Sequence, residues 1–169
     1  MKIEIIKAVN ENLQKASLLL ESITEETYTD ESIAPYHSSI GSHIRHILDF
    51  FNCIFEGIDA NKIDLTSRKR DERISNNIEF ALESISKVQQ TMLTFSNINT
   101  DYLVHVTDNL GQGNVTVDYT LESILAHANS HAVHHYAVIG YMLSQLKVEH
   151  KVAGFGYNPT TPISQRKGI

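Results

Sequence analysis

The chain has 169 residues, 41% of them hydrophobic, with three prolines and eight glycines, which suits one domain (1–169) with a packed core and long helices. A formal net charge of −6 argues against a nucleic-acid binder, which shows a basic face. The single cysteine, Cys53, excludes an internal disulfide and suits a reducing cytosol, and no apolar run approaches the ~20 residues of a membrane helix. The opening MKIEIIKAVNEN is amphipathic and carries acidic residues, so it does not read as a signal peptide. The expectation is a cytoplasmic protein.

Taken in order, residues 3–23 form a first helix, with Ile3, Ile6, Val9, Leu13, Ala16, Leu20 and Ile23 recurring at three and four. Residues 24–39 are polar, contain Pro35 and read as a loop that carries Tyr36 and His37. The second helix starts at Ser38 or Ser39, either of which can cap it, and ends near Gly57. Ile40, Ile44, Ile47, Leu48, Phe51 and Ile54 make its stripe; His43, His46, Phe50 and Cys53 form a line along its flank. Residues 58–70 read as irregular and end in the basic cluster Arg68, Lys69 and Arg70.

The third helix is predicted over 71–95, on the spacing of Ile74, Ile78, Ala81, Leu82, Ile85, Val88 and Met92. The period then changes to two. Tyr102, Val104 and Val106, then Val115, Val117 and Tyr119, flank Asn109-Leu110-Gly111-Gln112-Gly113, which predicts a β-hairpin or extended excursion. Thr120 can cap a fourth helix running to about Lys147, and residues 152–169 should lack regular structure. Four long amphipathic helices in one domain define an all-α four-helix bundle.

Residues 126–136 read AHANSHAVHHY and hold four of the nine histidines. At ~100° per residue, His135 falls near the middle of the apolar stripe of the fourth helix, His131 near its edge, and His127 and His134 further round. His131 and His135 are one turn apart on one face, so their imidazoles can reach a common ion. A third ligand from the second helix, His43 or His46, would leave one tetrahedral position open, as catalytic sites do. The competing reading is a set of hydrogen-bonded core histidines. HxxxH without a glutamate is not the zinc-protease motif, and the Glu-x-x-His pattern of di-iron bundles is absent.

SIGSHIRHILDF on the second helix and SHAVHHYAVIGYML on the fourth resemble the DinB/YfiT-like superfamily. Arg68-Lys69-Arg70-Asp71 resembles an RxRD segment of one of its subgroups, and Phe155-Gly156-Tyr157-Asn158-Pro159-Thr160-Thr161 a closing aromatic-Gly-x-x-Pro-x-Thr motif. The resemblance implies a four-helix bundle with a three-histidine divalent metal site. It assigns the ligands to His46, from His-x-x-Asp with Asp49, and to His131 and His135. The helical wheel puts His43 nearer the centre of its stripe than His46, so His43 remains the alternative.

Other residues carry paired readings. Asp49 either orients a ligand imidazole or pairs with Arg45 at i, i+4. His134 and His127 are candidate bases or donors beside the metal, or wet surface. Arg68, Lys69, Arg70 and Arg73 form either a solvated turn or an anchor for a substrate carboxylate or phosphate, with Arg68 and Arg70 the chelating candidates. Cys53 reads as a small buried hydrophobe before a nucleophile or ligand. Tyr36, Tyr136 and Tyr157 are candidates for the pocket rim.

By resemblance, the protein is a metal-dependent enzyme, a thiol S-transferase or a hydrolase. It would use Zn, Ni, Fe or Mn, with water or a low-molecular-weight thiol such as bacillithiol, mycothiol or glutathione at the open position. Its substrate would be a small molecule, its partner a second copy in a homodimer, with neither nucleic acid nor membrane involved. The catalytic candidates are His134, Asp49 and Arg68. The alternative is a non-catalytic, stress-related dimeric bundle whose metal is structural or incidental.

Overall fold

Where the apolar residues recur at three and four, the chain forms four long helices: α1 (Ile3–Leu20), α3 (Ile40–Gly57), α5 (Ile78–Thr94) and α6 (Leu121–Gln145). This computed structural model describes residues 1–100, 102–162, 164 and 166. In it α1 packs on α5 and α6, and α3 packs on the same two. Ile6, Leu13, Leu20, Ile44, Phe51, Ile54, Ile85, Met92, Leu125 and Ile139 are among the residues buried between them. Each such side chain contributes ~1.5–3 kcal/mol through apolar area removed from water. The expected all-α bundle with a β-hairpin before its last helix is therefore the fold. No helix among the described residues is long and apolar enough to cross a membrane.

The helix starts are set by side chains. Ser39 Oγ accepts from the Ser42 N–H at 3.1 Å, and Thr120 Oγ1 from the Ser123 N–H at 3.1 Å. Each satisfies a backbone donor that a first turn leaves over. The third predicted helix, 71–95, is interrupted. A short helix α4 (Glu72–Asn76) stops at Asn77, whose extended φ of −147° and ψ of 118° break the run. Asn77 Oδ1 then accepts from the Phe80 N–H at 2.7 Å and starts α5. The predicted loop at 24–39 likewise contains a helical turn, α2 (Glu25–Thr29), capped by Thr24.

The stretch 58–70, read as irregular, contains β1 (Lys62–Asp64). It pairs in parallel with β2 (Leu103–Asn109), Ile63 opposite Val106, and β2 pairs antiparallel with β3 (Asn114–Thr120), Val106 opposite Val117. Ile63, Val104 and Val106 are buried, whereas every residue of β3 is at least partly exposed. Gly57 serves this sheet rather than a helix cap. A methyl group there would collide with the Lys62 carbonyl, so the glycine lets β1 lie against the end of α3.

At the other end of α3, Gly41 does the same for α4. A methyl on Gly41 would run into the Ser75 carbonyl and the Tyr28 ring. The Tyr28 hydroxyl donates to the Ile74 carbonyl at 2.6 Å, which ties α2 to α4 across this close approach. After α6 the chain is irregular through the described part of the tail, as expected; 163, 165 and 167–169 lie outside the described residues. Phe155 is buried and stacks on Tyr136 with ring centroids 4.8 Å apart.

Candidate metal centre

Helices α3 and α6 run antiparallel with their histidines in step. Ring centroids of His43 and His135 lie 5.1 Å apart, those of His46 and His131 4.9 Å, and those of Phe50 and His127 5.3 Å. Numbers rise on one helix as they fall on the other. Three- and four-residue spacing on each rod keeps these rings on the shared face.

Three imidazoles converge. His131 Nε2 lies 2.9 Å from His46 Nε2 and 3.2 Å from His135 Nε2. Each of the three residues offers one ligand atom within 4.8 Å of the others. Nitrogens at 2.0–2.1 Å from a tetrahedral Zn²⁺ stand ~3.3 Å apart, so the two separations from His131 are within a few tenths of an ångström of that spacing. Burial is the main cause that holds His46 and His131 down to about 4 and His135 to about 3; the neighbouring histidines add to it, as does Arg68 for His46 and His131. All three are neutral at pH 7, the form that binds metals. The cluster fits a divalent cation.

His43 is not part of this trio. Its Nδ1 lies 2.8 Å from His135 Nδ1, and its Nε2 3.0 Å from Ser38 Oγ. It thus connects the far nitrogen of His135 to a serine before α3. Burial lowers its pKa, with His134 adding a smaller push. On the other side, Arg68 donates from a terminal nitrogen to His46 Nδ1 at 2.9 Å. The sequence marks Ser38 only as a cap candidate, and shows neither its contact with His43 nor the Arg68–His46 bond. The overlapping cap candidates at 38 and 39 were the one local hint.

A cavity of about 270 Å³ opens beside the cluster, its wall including His43, His46, His135, Asp49, Arg68 and Arg70. Asp49 is buried, 3.3 Å from an Arg45 terminal nitrogen, so the ion-pair reading describes its contact. Burial raises its pKa while Arg45 pulls the other way. The basic cluster divides. Lys69 pairs with Glu56 at 2.6 Å and Arg73 with Asp71 at 2.6 Å, while Arg68 and Arg70 line the cavity.

The remaining candidates fall outside the trio. His134 is exposed and stacks against His131 at 6.4 Å; His127 is exposed and stacks against Tyr119 at 6.2 Å. Cys53 is buried, and burial pushes its thiol up to about 11, so it is protonated and inert at neutral pH. None of the three tyrosines lines the histidine cavity. Tyr136 is fully buried, Tyr157 lines a separate cleft against α6, and Tyr36 stands 85% exposed beside another.

A helical bundle that brings three neutral histidines from two antiparallel helices to one point defines a class, that of bundles with a metal-binding cluster between helices. The chain belongs to the DinB superfamily, whose sequence model matches residues 8–139. No curated protein matches the chain.

Proposed function

We propose that this protein is a metal-dependent enzyme in which His46, His131 and His135 hold one divalent ion. The open position activates water or a low-molecular-weight thiol toward a small-molecule substrate. The observation that carries this reading is the convergence of the three rings beside an open cavity rather than in a closed core. A divalent ion lowers the pKa of a bound water or thiol and so supplies a nucleophile at neutral pH. Three neutral imidazoles leave the ion's charge uncompensated, which favours a bound hydroxide, thiolate or other anion. Imidazole suits Zn, Ni and Fe, and Mn is the harder-ligand alternative.

Metal analysis should find about one ion per chain, as a three-ligand catalytic site requires. His135→Ala should abolish binding, and His134→Ala should leave it in place. A site emptied by His134→Ala would overturn the ligand assignment. The loaded protein is then offered thiols (bacillithiol, mycothiol, glutathione) with an electrophilic acceptor, and separately a panel of hydrolysable esters and amides. Turnover in the first supports S-transfer and in the second hydrolysis. A bound ion with no turnover in either would support the non-catalytic bundle.

A further inference from the structure

We propose that the cavity beside the histidines binds an oxyanion of the substrate, a carboxylate or a phosphate, on Arg68 and Arg70. The inference rests on the metal-dependent reading above and adds the chemical class of what the site takes. The division of charge around the cavity is the starting point. Lys69 and Arg73 are ion-paired with Glu56 and Asp71, and Arg45 faces both Asp49 and Glu72, at 3.3 and 3.7 Å. Among the described residues, no carboxylate lies within ion-pair distance of Arg68 or Arg70. The Nε of Arg68 is buried without a hydrogen-bond partner. A buried guanidinium nitrogen without an acceptor is costly, and a planar fork matched to an oxyanion removes that cost.

The bond between Arg68 and His46 carries the inference further. A guanidinium only donates, so His46 Nδ1 must accept in this contact, and the hydrogen of its neutral ring sits on Nε2. A neutral ring that lends Nε2 to a cation carries its hydrogen on Nδ1 instead, and has nothing to offer Arg68. The contact on His135 behaves differently. The line His135–His43–Ser38 can reverse the direction of both hydrogen bonds with every heavy atom in place. His46 as a ligand therefore frees Arg68 to take another acceptor. The cavity that Arg68 lines is where it can find one. Asp49, in the same wall, already accepts from Arg45. Arg68 thus exchanges a histidine for a substrate oxyanion, and Arg70 supplies a second cation.

Isothermal titration of the nickel-loaded protein with inorganic phosphate and with acetate, at ionic strength held constant with chloride, tests this. Arg68→Ala should weaken anion binding about tenfold or more, and Arg70→Ala by about threefold to tenfold, while the ion content per chain stays unchanged. Arg68→Lys, which keeps the charge and loses the fork, should recover part of the affinity and shows that the alanine result is not misfolding. A preference for phosphate or for acetate identifies which oxyanion is meant, and either supports the site. Failure of the wild-type protein to bind both anions, or equal binding by wild type and Arg68→Ala, overturns it. If the chain takes up no metal yet Arg68→Ala still loses the anion, the metal-dependent reading falls and the anion site stands.

Discussion

Replacing His43 by alanine separates a ligand from a residue that orients one. The two Nδ1 atoms of His43 and His135 are 2.8 Å apart, so one of them carries the hydrogen. When His135 lends its Nε2 to an ion, its Nδ1–H donates to His43, and His43 passes the pattern on by donating Nε2–H to Ser38. The partner on the far nitrogen fixes the tautomer and ring angle of a ligand histidine, and its loss costs 10–100-fold in ion affinity, or about 1.4–2.8 kcal/mol. His43→Ala should therefore keep a full complement of metal at saturation but surrender it to a competing chelator at a 10–100-fold lower chelator strength. His46→Ala should bind no ion at all. If His43→Ala empties the site while His46→Ala retains it, the two residues have exchanged roles. If His43→Ala holds its ion as tightly as the wild type, the contact with His135 does not orient the ring.

Gly41→Ala sets helix propensity against packing. Alanine gains ~1 kcal/mol inside a helix, but its methyl meets the Ser75 carbonyl, part of a backbone that cannot rotate away, and overpacking of this kind costs ~1–3 kcal/mol. A net loss of up to about 2 kcal/mol should lower Tm by up to roughly 8 °C; a raised Tm would show that α4 yields freely. Acid should weaken the metal-stripped fold. Histidine pKa values held below their unfolded value of ~6.5 favour the neutral form in the folded state, so the unfolded chain binds more protons as pH falls. Stability should be full above pH ~6.5 and decline towards the values of about 4 for His46 and His131 and about 3 for His135. Asp49, whose pKa is raised by burial, works in the opposite direction. Urea midpoints that stay level from pH 7 to 4 would refute the burial of the three rings.

The four long helices were legible because each hides one face, and a buried face leaves a period of three and four in the sequence. His131 and His135 were legible for the same reason. The break at Asn77 was not, because Ile74 and Ile78 are four apart across it, and a one-residue change of φ leaves the apolar period intact. β1 is three residues long with one buried side chain, Ile63, and exists through a partner more than 40 residues away, so no local pattern announces it. Which of His43 and His46 clusters with His131 and His135 depends on axial level as well as rotation. The wheel measures only rotation about the helix, whereas the antiparallel neighbour sets His46 against His131 and His43 against His135. The contact of Arg68 with His46 spans 22 residues and a change of element, so the sequence shows the basic cluster but not the histidine it reaches.

The parallel pairing of β1 with β2 splices the hairpin to the chain that leads into the arginines. Leu65 donates its N–H to the Thr107 carbonyl at 2.9 Å, just three residues before Arg68, and His105 donates to Asn61 at 2.9 Å. A continuous hydrogen-bonded ribbon thus runs from the hairpin, whose tip exposes Leu110, to the segment that carries Arg68 and Arg70 to the cavity wall. The hairpin also borders the histidines directly, since Tyr119 of β3 stacks on His127 and the Asp108 carboxylate of β2 acts on His131.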